Sequence, residues 1–376
     1  MNLLLINYEF PPIGGGAATA TWNTAHELAK QGHQVTVLTS CFQELRGWSE
    51  EQGVFIYRCL AFRHQVSRSS LFEQFSFVLS AMMVLPRLLK KQNIQGIIVY
   101  FSIPCGPLGL WAKLLYKTPY IVSLRGGDVP GLEPRIMWIH RILQPLRRVI
   151  LKQAIAIVAN SIGLQQVAQK ADPFQTQIIA NGVDTHFFFP IPHENPIFQF
   201  LFVGRFQEQK NLFFLLKQLK KLRDTTTLAF CCHLVGDGYQ KTALQAYAQQ
   251  LQLDDVLIWH GWLDKTILRA CYQQADCLLS FSLYEGMPNV LLEAMASGLA
   301  IVASQVTGHE SVVRHGETGY LLALQNNDEI QTTLKYLITN RQQTKVLGDA
   351  GRQWVMEHFS WEQVAKQYVQ LFVNKS

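Results

Sequence analysis

Two carboxylates, Glu285 and Glu293, flank a Gly-x-Pro turn in the second half of the chain. The apolar runs on either side predict buried parallel strands, so the local order is strand, loop, helix, strand. Pro288 suits the first turn of that helix, and Gly298 suits its end. Glu285 would then lie where a parallel strand ends, beside helix N–H groups that attract an anion.

A second interpretation of these carboxylates stays open at this point. Glu285 could be a solvated loop charge and Glu293 a surface residue of the helix. Glu293, however, lies between Leu292 and Ala294 in an otherwise apolar segment. Because an unpaired carboxylate is expensive among apolar side chains, we expect Glu293 to have a partner.

Two cations follow an earlier strand of the same half. Arg205 comes directly after Gly204 at the strand end, and Lys210 stands at the start of the next helix. A planar guanidinium fork, a compact ammonium and helix N–H groups together suit a diphosphate. The next two strands end at Gly236 and Gly261, so the same edge of the predicted sheet is rich in glycine.

The first half opens with a strand, a loop ending in Gly14-Gly15-Gly16, a helix and a second strand. Glycines at the first turn of a βαβ unit let a phosphate approach the backbone closely. A nicotinamide-binding turn is a poor alternative because G-x-G-x-x-G and the acidic residue after the second strand are missing. A loose turn without a ligand is the other alternative.

A second glycine loop, Leu124 to Gly131, also follows a predicted strand and carries Arg125 and Asp128. Both side chains are candidates for a ligand contact. They could instead pair with each other in a structural turn, and the sequence does not decide between the two.

Composition indicates a globular protein of two domains. The 376 residues are 48% apolar and 16% charged, with a net charge of +6, and no recognisable nucleic-acid module appears. Seven cysteines without a C-x-x-C pair suggest a reducing compartment. The first residues lack the features of a signal peptide.

Membrane contact is predicted only at the surface. No apolar run approaches the roughly 20 residues that span a bilayer. The stretch Arg135–Lys152 is basic and apolar without any acid, which suits an anionic membrane surface. A core-facing helix with a solvated basic face is the competing interpretation.

Five motifs in this order make the chain resemble the retaining GT-B glycosyltransferases of family 4, also called group 1. They are Pro11-Pro12 before the glycine loop, Asn181-Gly182-Val183-Asp184, Val203-Gly204-Arg205 with Lys210, Glu285-x7-Glu293, and Gly316-Glu317-Thr318-Gly319-Tyr320-Leu321. The resemblance runs from the first strand to the last helix, and the second half carries its more specific motifs.

The resemblance implies an α/β GT-B fold of two Rossmann-like domains whose parallel sheets face across a cleft. Residues 1–188 would be the acceptor-binding domain and 189–357 the nucleotide-sugar-binding domain. Residues 358–376 would form a helix that crosses back to the first domain.

The resemblance also implies a role for each candidate residue. Glu293 should hold the ribose hydroxyls, and Arg205 and Lys210 the diphosphate. Glu285 with the backbone of residues 286–290 should hold the transferred sugar. The full set of expected donor contacts is Gly15, Gly16, Asp128, Gly204, Arg205, Lys210, Gly236, Gly261, Glu285, Gly286, Met287, Pro288, Asn289, Val290 and Glu293, and Glu285, Arg205, Lys210 and Arg125 are the expected catalytic residues.

Members of this family transfer the sugar by front-face attack, in which the departing phosphate deprotonates the acceptor hydroxyl. We expect neither a metal nor another cofactor, since the chain lacks Asp-x-Asp. In this chain Arg125 stands where many members have histidine, and it cannot change protonation near neutral pH. Ser311 occupies a position that is often glutamate.

The expected function is therefore a retaining hexosyltransferase of the cytoplasm, or of the cytoplasmic face of the membrane, with a nucleotide-diphosphate sugar as donor. A lipid-linked or cell-surface saccharide would be the acceptor, as in polysaccharide or lipopolysaccharide biosynthesis. The alternatives are a sugar-phosphate or sucrose-type synthase on the same fold and a catalytically idle nucleotide-sugar-binding scaffold. Nucleic acid is not an expected partner.

Overall fold

The computed structural model describes residues 1–65, 69–131, 137–192 and 195–374. The chain forms two compact units, one of Met1–Gly182 with Trp361–Ser376 and one of Val183–Ser360. Each unit is an α/β domain with a predominantly parallel sheet, so the predicted fold class is confirmed. The sequence places the domain boundaries a few residues away, after residues 188 and 357.

The sheet of the first unit has eight strands in the order β3-β4-β2-β1-β5-β6-β7-β8. All neighbours are parallel except β3 and β4, which form an antiparallel edge. The central strands are continuous apolar runs because helices cover both of their faces. The strands are β1 (Asn2–Ile6), β2 (Gln34–Ser40), β3 (Gly47–Glu51), β4 (Val54–Cys59), β5 (Gly96–Tyr100), β6 (Tyr120–Ser123), β7 (Ala156–Ala159) and β8 (Gln177–Ile178).

The described α-helices of this unit are α1 (Gly16–Lys30), α2 (Leu71–Lys91), α3 (Gly106–Tyr116), α4 (Met137–Gln153), α5 (Ile162–Ala171) and α13 (Trp361–Val373). The last helix of the chain, α13, packs against α1. Its Tyr368 hydroxyl lies 2.7 Å from the Ser123 hydroxyl at the end of β6. Residues 361–374 are therefore part of the first unit, although the rest of the second half is not.

One described helix, α2, is long and apolar enough to cross a bilayer when judged by length and composition. The expectation that no segment of the sequence approaches this length is therefore wrong. Polar residues such as Gln74 and Ser80 interrupt the apolar run, but the helix continues through them for 21 residues. Only one third of the most apolar 18-residue stretch of α2 is buried in the protein.

The sheet of the second unit has six parallel strands in the order β11-β10-β9-β12-β13-β14. The strand order reverses between β9 and β12, and ligands of open α/β sheets bind outside the carboxyl ends of strands at such a point. The strands are β9 (Phe198–Val203), β10 (Phe230–Val235), β11 (Leu257–Gly261), β12 (Cys277–Ser280), β13 (Ala300–Ser304) and β14 (Tyr320–Leu322).

The helices of the second unit are α6 (Leu212–Thr225), α7 (Lys241–Gln250), α8 (Lys265–Gln274), α9 (Asn289–Ala296), α10 (Thr307–Glu310), α11 (Asn327–Thr339) and α12 (Arg341–His358), and a short 3-10 helix spans Glu208–Lys210. The strand, loop, helix and strand predicted around the two carboxylates are present as β12, α9 and β13. Pro288 is the N-cap of α9 rather than a residue of its first turn. Gly298 follows the helix with φ near +80°, a conformation that favours glycine.

Candidate active site

The loops that follow β9 and β12 meet at the point where the strand order of the second sheet reverses. The backbone N–H of Leu283 donates to the Gln209 carbonyl at 2.8 Å, and the Gln209 side chain donates to the Tyr284 carbonyl at 2.9 Å. These contacts join segments that are far apart in the sequence. They place Lys210 and Glu285 side by side.

Lys210 and Glu285 form an ion pair, with the ammonium 2.5 Å from the carboxylate Oε1. The Ser282 hydroxyl donates to the same oxygen at 2.7 Å. Both charged side chains are largely withdrawn from solvent, which strengthens the attraction. The resemblance implies separate roles, with Lys210 at the phosphate and Glu285 at the sugar. In the structure the two side chains also contact each other directly. Within the described residues no contact to Oε2 of Glu285 is found, so that oxygen can accept a hydrogen bond from a ligand.

The loop that carries Glu285 is held from behind by the start of α10. A Cβ atom on Gly308 would lie only 2.5 Å from the Glu285 carbonyl oxygen, so this close approach requires glycine. The Ser304 hydroxyl donates to the Ser282 carbonyl at 2.6 Å. The buried His309 ring contacts the Ser280 hydroxyl and the Ser304 carbonyl. Burial lowers the pKa of His309, so a neutral imidazole supports the loop at neutral pH.

Arg205 follows β9 as predicted, and its side chain is exposed. No hydrogen bond or ion pair of its guanidinium is found within the part of the chain that the structure describes. An exposed cation beside a strand end agrees with the predicted phosphate contact. Its role in binding the donor stays a prediction.

Glu293 has the partner that the apolar sequence around it requires. The Tyr272 hydroxyl of α8 donates to its Oε2 at 3.0 Å. Burial raises the pKa of Glu293 to about 7, although this hydrogen bond and the charge of Lys265 both lower it. Burial, followed by the charge of Glu293, also raises the pKa of Tyr272 well above its usual value. Tyr272 therefore stays protonated and acts as the donor.

We expect the raised pKa of Glu293 to make stability depend on pH. The folded protein holds this proton more tightly than the unfolded chain, so the contribution of Glu293 to stability is largest below about pH 4.5. It is lost as the pH rises through about 7. Relative to Glu293→Gln, the wild type should lose at most about 3 kcal/mol of unfolding free energy between pH 4.5 and 8.

Urea unfolding at pH 5 and pH 8 measures this difference. Glu317→Gln, which changes an exposed carboxylate of the same unit, is the matched control and should give the same shift as the wild type. A stability difference between wild type and Glu293→Gln that does not change with pH would contradict the raised pKa.

Three predicted glycines lie at neighbouring strand ends. The N–H of Gly236 donates to the Gly261 carbonyl at 2.8 Å, and the N–H of Gly204 donates to the Val235 carbonyl at 3.0 Å. A Cβ atom on Gly236 would lie 1.9 Å from the Gly204 carbonyl oxygen. Gly236 is therefore required by packing of the backbone, whatever its contact with a donor.

The predicted loop residues Gly286, Met287, Pro288, Asn289 and Val290 lead into α9. Open space surrounds the position that a Cβ atom would take on Gly286. The Leu291 N–H closes the first turn by donating to the Pro288 carbonyl at 3.0 Å. The loop thus lies beside Glu285 and starts the helix that carries Glu293, and its contact with a donor stays a prediction.

Four predicted site residues belong to the first unit. Gly15 is the N-cap of α1, and Gly16 is its first residue. A Cβ atom on Gly15 would meet nothing within 4 Å, so space for a ligand exists at this helix start. Their role as a phosphate cradle stays a prediction.

The other two, Arg125 and Asp128, do not form a side-chain pair. Both Asp128 oxygens accept backbone N–H groups, from Arg125 and Gly126 at one oxygen and Ser102 at the other. Asp128 is only 2% exposed. This carboxylate therefore shapes the loop, and its expected contact with the donor stays a prediction. The Arg125 guanidinium donates to Asn181 Oδ1 at 2.7 Å.

Sequence reasoning missed the residues that hold the carboxylates in place, Ser282, Tyr272 and His309. Ser282 lies three residues before Glu285, a spacing that could have indicated a local hydrogen bond. Tyr272 and His309 reach the site from other elements, and no local pattern identifies them.

Two family models match the chain in succession. Residues 14–187 match the family "Glycosyltransferase Family 4", and residues 184–354 match "Glycosyl transferases group 1". An uncharacterized glycosyltransferase of Methanocaldococcus jannaschii is 23% identical over 99% of this chain and 98% of its own length.

Solved structures show the same fold over the whole chain. Sucrose-phosphate synthase from Thermosynechococcus elongatus has a TM-score of 0.80 at 21% identity, covering 100% of this chain and 98% of the other. HepE of Anabaena, in complex with UDP and glucose, has a TM-score of 0.75 at 16% identity and covers both chains fully. These likenesses agree with the GT-B fold that the motifs imply.

Proposed function

The chain belongs to the group 1, family 4 glycosyltransferases, and from this premise we propose that it moves a hexose-type sugar from a nucleotide-diphosphate sugar to a hydroxyl of a saccharide acceptor. The acceptor is lipid-linked or part of a cell-surface saccharide, as in polysaccharide or lipopolysaccharide biosynthesis. The protein acts in the cytoplasm, peripherally on the cytoplasmic face of the membrane.

The observation that carries the proposal is the cluster of Lys210, Glu285 and Arg205 where the second sheet reverses its strand order. Lys210 and Arg205 supply positive charge for a diphosphate. Glu285 has one oxygen bound by Lys210 and Ser282, which leaves the other for sugar hydroxyls. A carboxylate and a cation that touch each other can contact the two sides of the bond that breaks, the sugar and the leaving diphosphate.

Glu293 lies in the helix that follows and supplies the third contact of the proposed donor site. In its ionised form the carboxylate accepts hydrogen bonds from the two ribose hydroxyls. Tyr272 holds one of its oxygens and so orients the group. Because the pKa of Glu293 is about 7, donor affinity should rise as the pH increases from 6 to 8.

The proposed chemistry retains configuration at the anomeric carbon. The bond between this carbon and the diphosphate oxygen breaks, and the acceptor oxygen bonds to the carbon from the same face. The acceptor proton passes to the departing phosphate oxygen, so the protein supplies no nucleophile. Arg205 and Lys210 stabilise the charge that develops on the diphosphate, which is the task a metal ion would otherwise perform.

A donor screen tests this function. The purified protein is incubated with UDP-, GDP- and ADP-sugars, first for binding by thermal shift and then for release of nucleoside diphosphate. At least one donor should raise the melting temperature and be turned over, with activity unchanged by a chelator and an α-linked product from an α-linked donor. No binding and no turnover with any donor would refute the proposal.

The acceptor decides between the transferase and its alternatives. Because the fold is similar to that of sucrose-phosphate synthase, sugar phosphates must be tested as acceptors. Lipid-linked saccharides extracted from membranes are tested beside them. Transfer to the saccharides alone supports the proposal, whereas transfer to a sugar phosphate would assign the synthase alternative. Donor binding without transfer or hydrolysis would indicate an idle scaffold.

A further inference from the structure

The helix α2 exposes large apolar side chains along one side. Phe77, Ala81 and Leu85 point into the core of the first unit and are fully buried. On the opposite side, four large apolar residues are between 47% and 74% exposed: Phe72, Phe75, Leu79 and Met83. Their spacing of three or four residues places them in one stripe of the helix. Packing within this unit therefore leaves one side of an apolar helix uncovered.

The two helices next to α2 continue this exposed apolar surface. The connections β4-α2-β5, β5-α3-β6 and β6-α4-β7 all advance in one direction along the sheet, so right-handed crossovers place α2, α3 and α4 on the same face. α3 contacts both α2 and α4. The exposed apolar residues of the two neighbours are Leu114 and Leu115 of α3 and Met137, Trp138, Ile142, Leu146 and Val149 of α4. We call the exposed apolar residues of α2, α3 and α4 the docking face.

The charges on these three helices have one sign at the surface. The exposed ionisable residues of α2 and α4 are Arg87, Lys90, Lys91, Arg141, Arg148 and Lys152. Within the helices α2, α3 and α4, as far as the structure describes them, the acidic residue is Glu73. It is buried and accepts hydrogen bonds from the backbone N–H groups of Ser70 and His64. An apolar surface on helices whose described exposed charges are cations complements a bilayer with anionic headgroups.

The structure changes which cations of the basic stretch 135–152 belong to this surface. Arg147 is 1% exposed, and its guanidinium is paired with the buried Asp172 carboxylate at 2.5 Å. Arg147 is therefore part of the core, and the prediction that it contacts a membrane is wrong. Arg135 lies outside the described residues. Arg141, Arg148 and Lys152 are the cations of α4 that reach solvent.

We propose that the docking face seats the first unit on an anionic bilayer, with its apolar side chains in the boundary between headgroups and acyl chains. This inference deepens the peripheral attachment in the proposed function. The helix α2 lies along the interface rather than across the bilayer, because its other side packs in the protein core and its start is capped by Ser70 and Glu73. Soluble monomers rarely expose an apolar surface of this extent without a partner.

Co-sedimentation of the full chain with vesicles tests the proposal. Wild-type protein should bind vesicles that contain 30% phosphatidylglycerol and bind pure phosphatidylcholine vesicles at least tenfold more weakly. The triple variant Phe72→Ser, Phe75→Ser, Met83→Ser should lose binding to the anionic vesicles at least tenfold. The double variant Arg141→Glu, Lys152→Glu should lose it as well. All five substituted positions on α2 and α4 are exposed, so the fold should survive.

The matched control is Val346→Ser with Met356→Ser, which removes two exposed apolar side chains from α12 of the other unit and should leave vesicle binding unchanged. Donor turnover in the absence of vesicles should be the same for all variants, so failure of docking is separate from failure of the transferase function. Wild-type protein that stays in solution with anionic vesicles would overturn the proposal. So would a wild-type dimer that the triple variant converts to a monomer, because the face would then be a protein interface.

Discussion

Exchange of Glu285 for glutamine should reduce sugar transfer at least about 100-fold while the protein stays folded. The variant keeps the shape of the side chain but removes the charge that pairs with Lys210 at 2.5 Å. Lys210 would then lose the group that orients it, and the sugar would lose a carboxylate acceptor. Lys210→Met should cause a loss of similar size, because it leaves Glu285 unpaired in a largely buried position.

The measurement is turnover of the donor found in the screen, combined with the affinity for the free nucleoside diphosphate. Glu285→Gln should chiefly lower kcat and weaken nucleotide binding less than Lys210→Met does, because only the second change removes the cation itself. The two changes together should cost less than the sum of the single losses, since the side chains act as a pair. Lys241→Met, which breaks an exposed pair with Asp237, is the matched control. Wild-type turnover in Glu285→Gln would mean that the site is elsewhere.

Exchange of Gly236 for alanine should destabilise the second unit severely. The added methyl would lie 1.9 Å from the Gly204 carbonyl oxygen, far inside contact distance, and the backbone of Gly236 has a φ of +139° that alanine avoids. The strand ends of β9 and β10 would have to separate, at a cost on the order of 3 kcal/mol or more. Donor affinity should fall with it, because Gly204 leads into Arg205.

Thermal and urea unfolding measure the first effect, and nucleotide binding measures the second. Gly286→Ala is the matched control for the fold: a methyl there meets no atom within 4 Å, so stability should stay near that of the wild type. If Gly236→Ala melted with the wild type, the close approach of the two strand ends would be refuted.

Much of the fold follows from the order of residues alone. Alternation of short apolar runs with helical segments predicts two parallel α/β units, because strands covered on both faces must be apolar throughout. Glycines and polar residues after these runs locate the ligand-binding edge, because all parallel strands end on the same side. Glu285, Arg205 and Lys210 are recognisable for this reason. Glu293 is recognisable because a carboxylate among apolar neighbours requires a hydrogen-bond partner or a ligand.

The contacts of these residues were decided by tertiary structure. Lys210 and Glu285 are 75 residues apart, and only the parallel pairing of β9 with β12 brings their loops together. Tyr272 reaches Glu293 from a different helix, and Gly236 is needed because the Gly204 backbone crosses close to it. Local sequence does not predict such long-range contacts, since they depend on which strands become neighbours.

Burial was also decided by tertiary structure. Arg147 and Arg148 are adjacent in a basic stretch, yet Arg147 is buried against Asp172 while Arg148 is exposed. The apolar residues of α2 look alike in sequence, but one side enters the core and the other faces solvent. Sequence thus determined which residues have the chemistry for the proposed donor binding and the proposed membrane contact. The packing of helices on the sheet decided which of them can perform it, because packing alone sets the side of each helix that is covered.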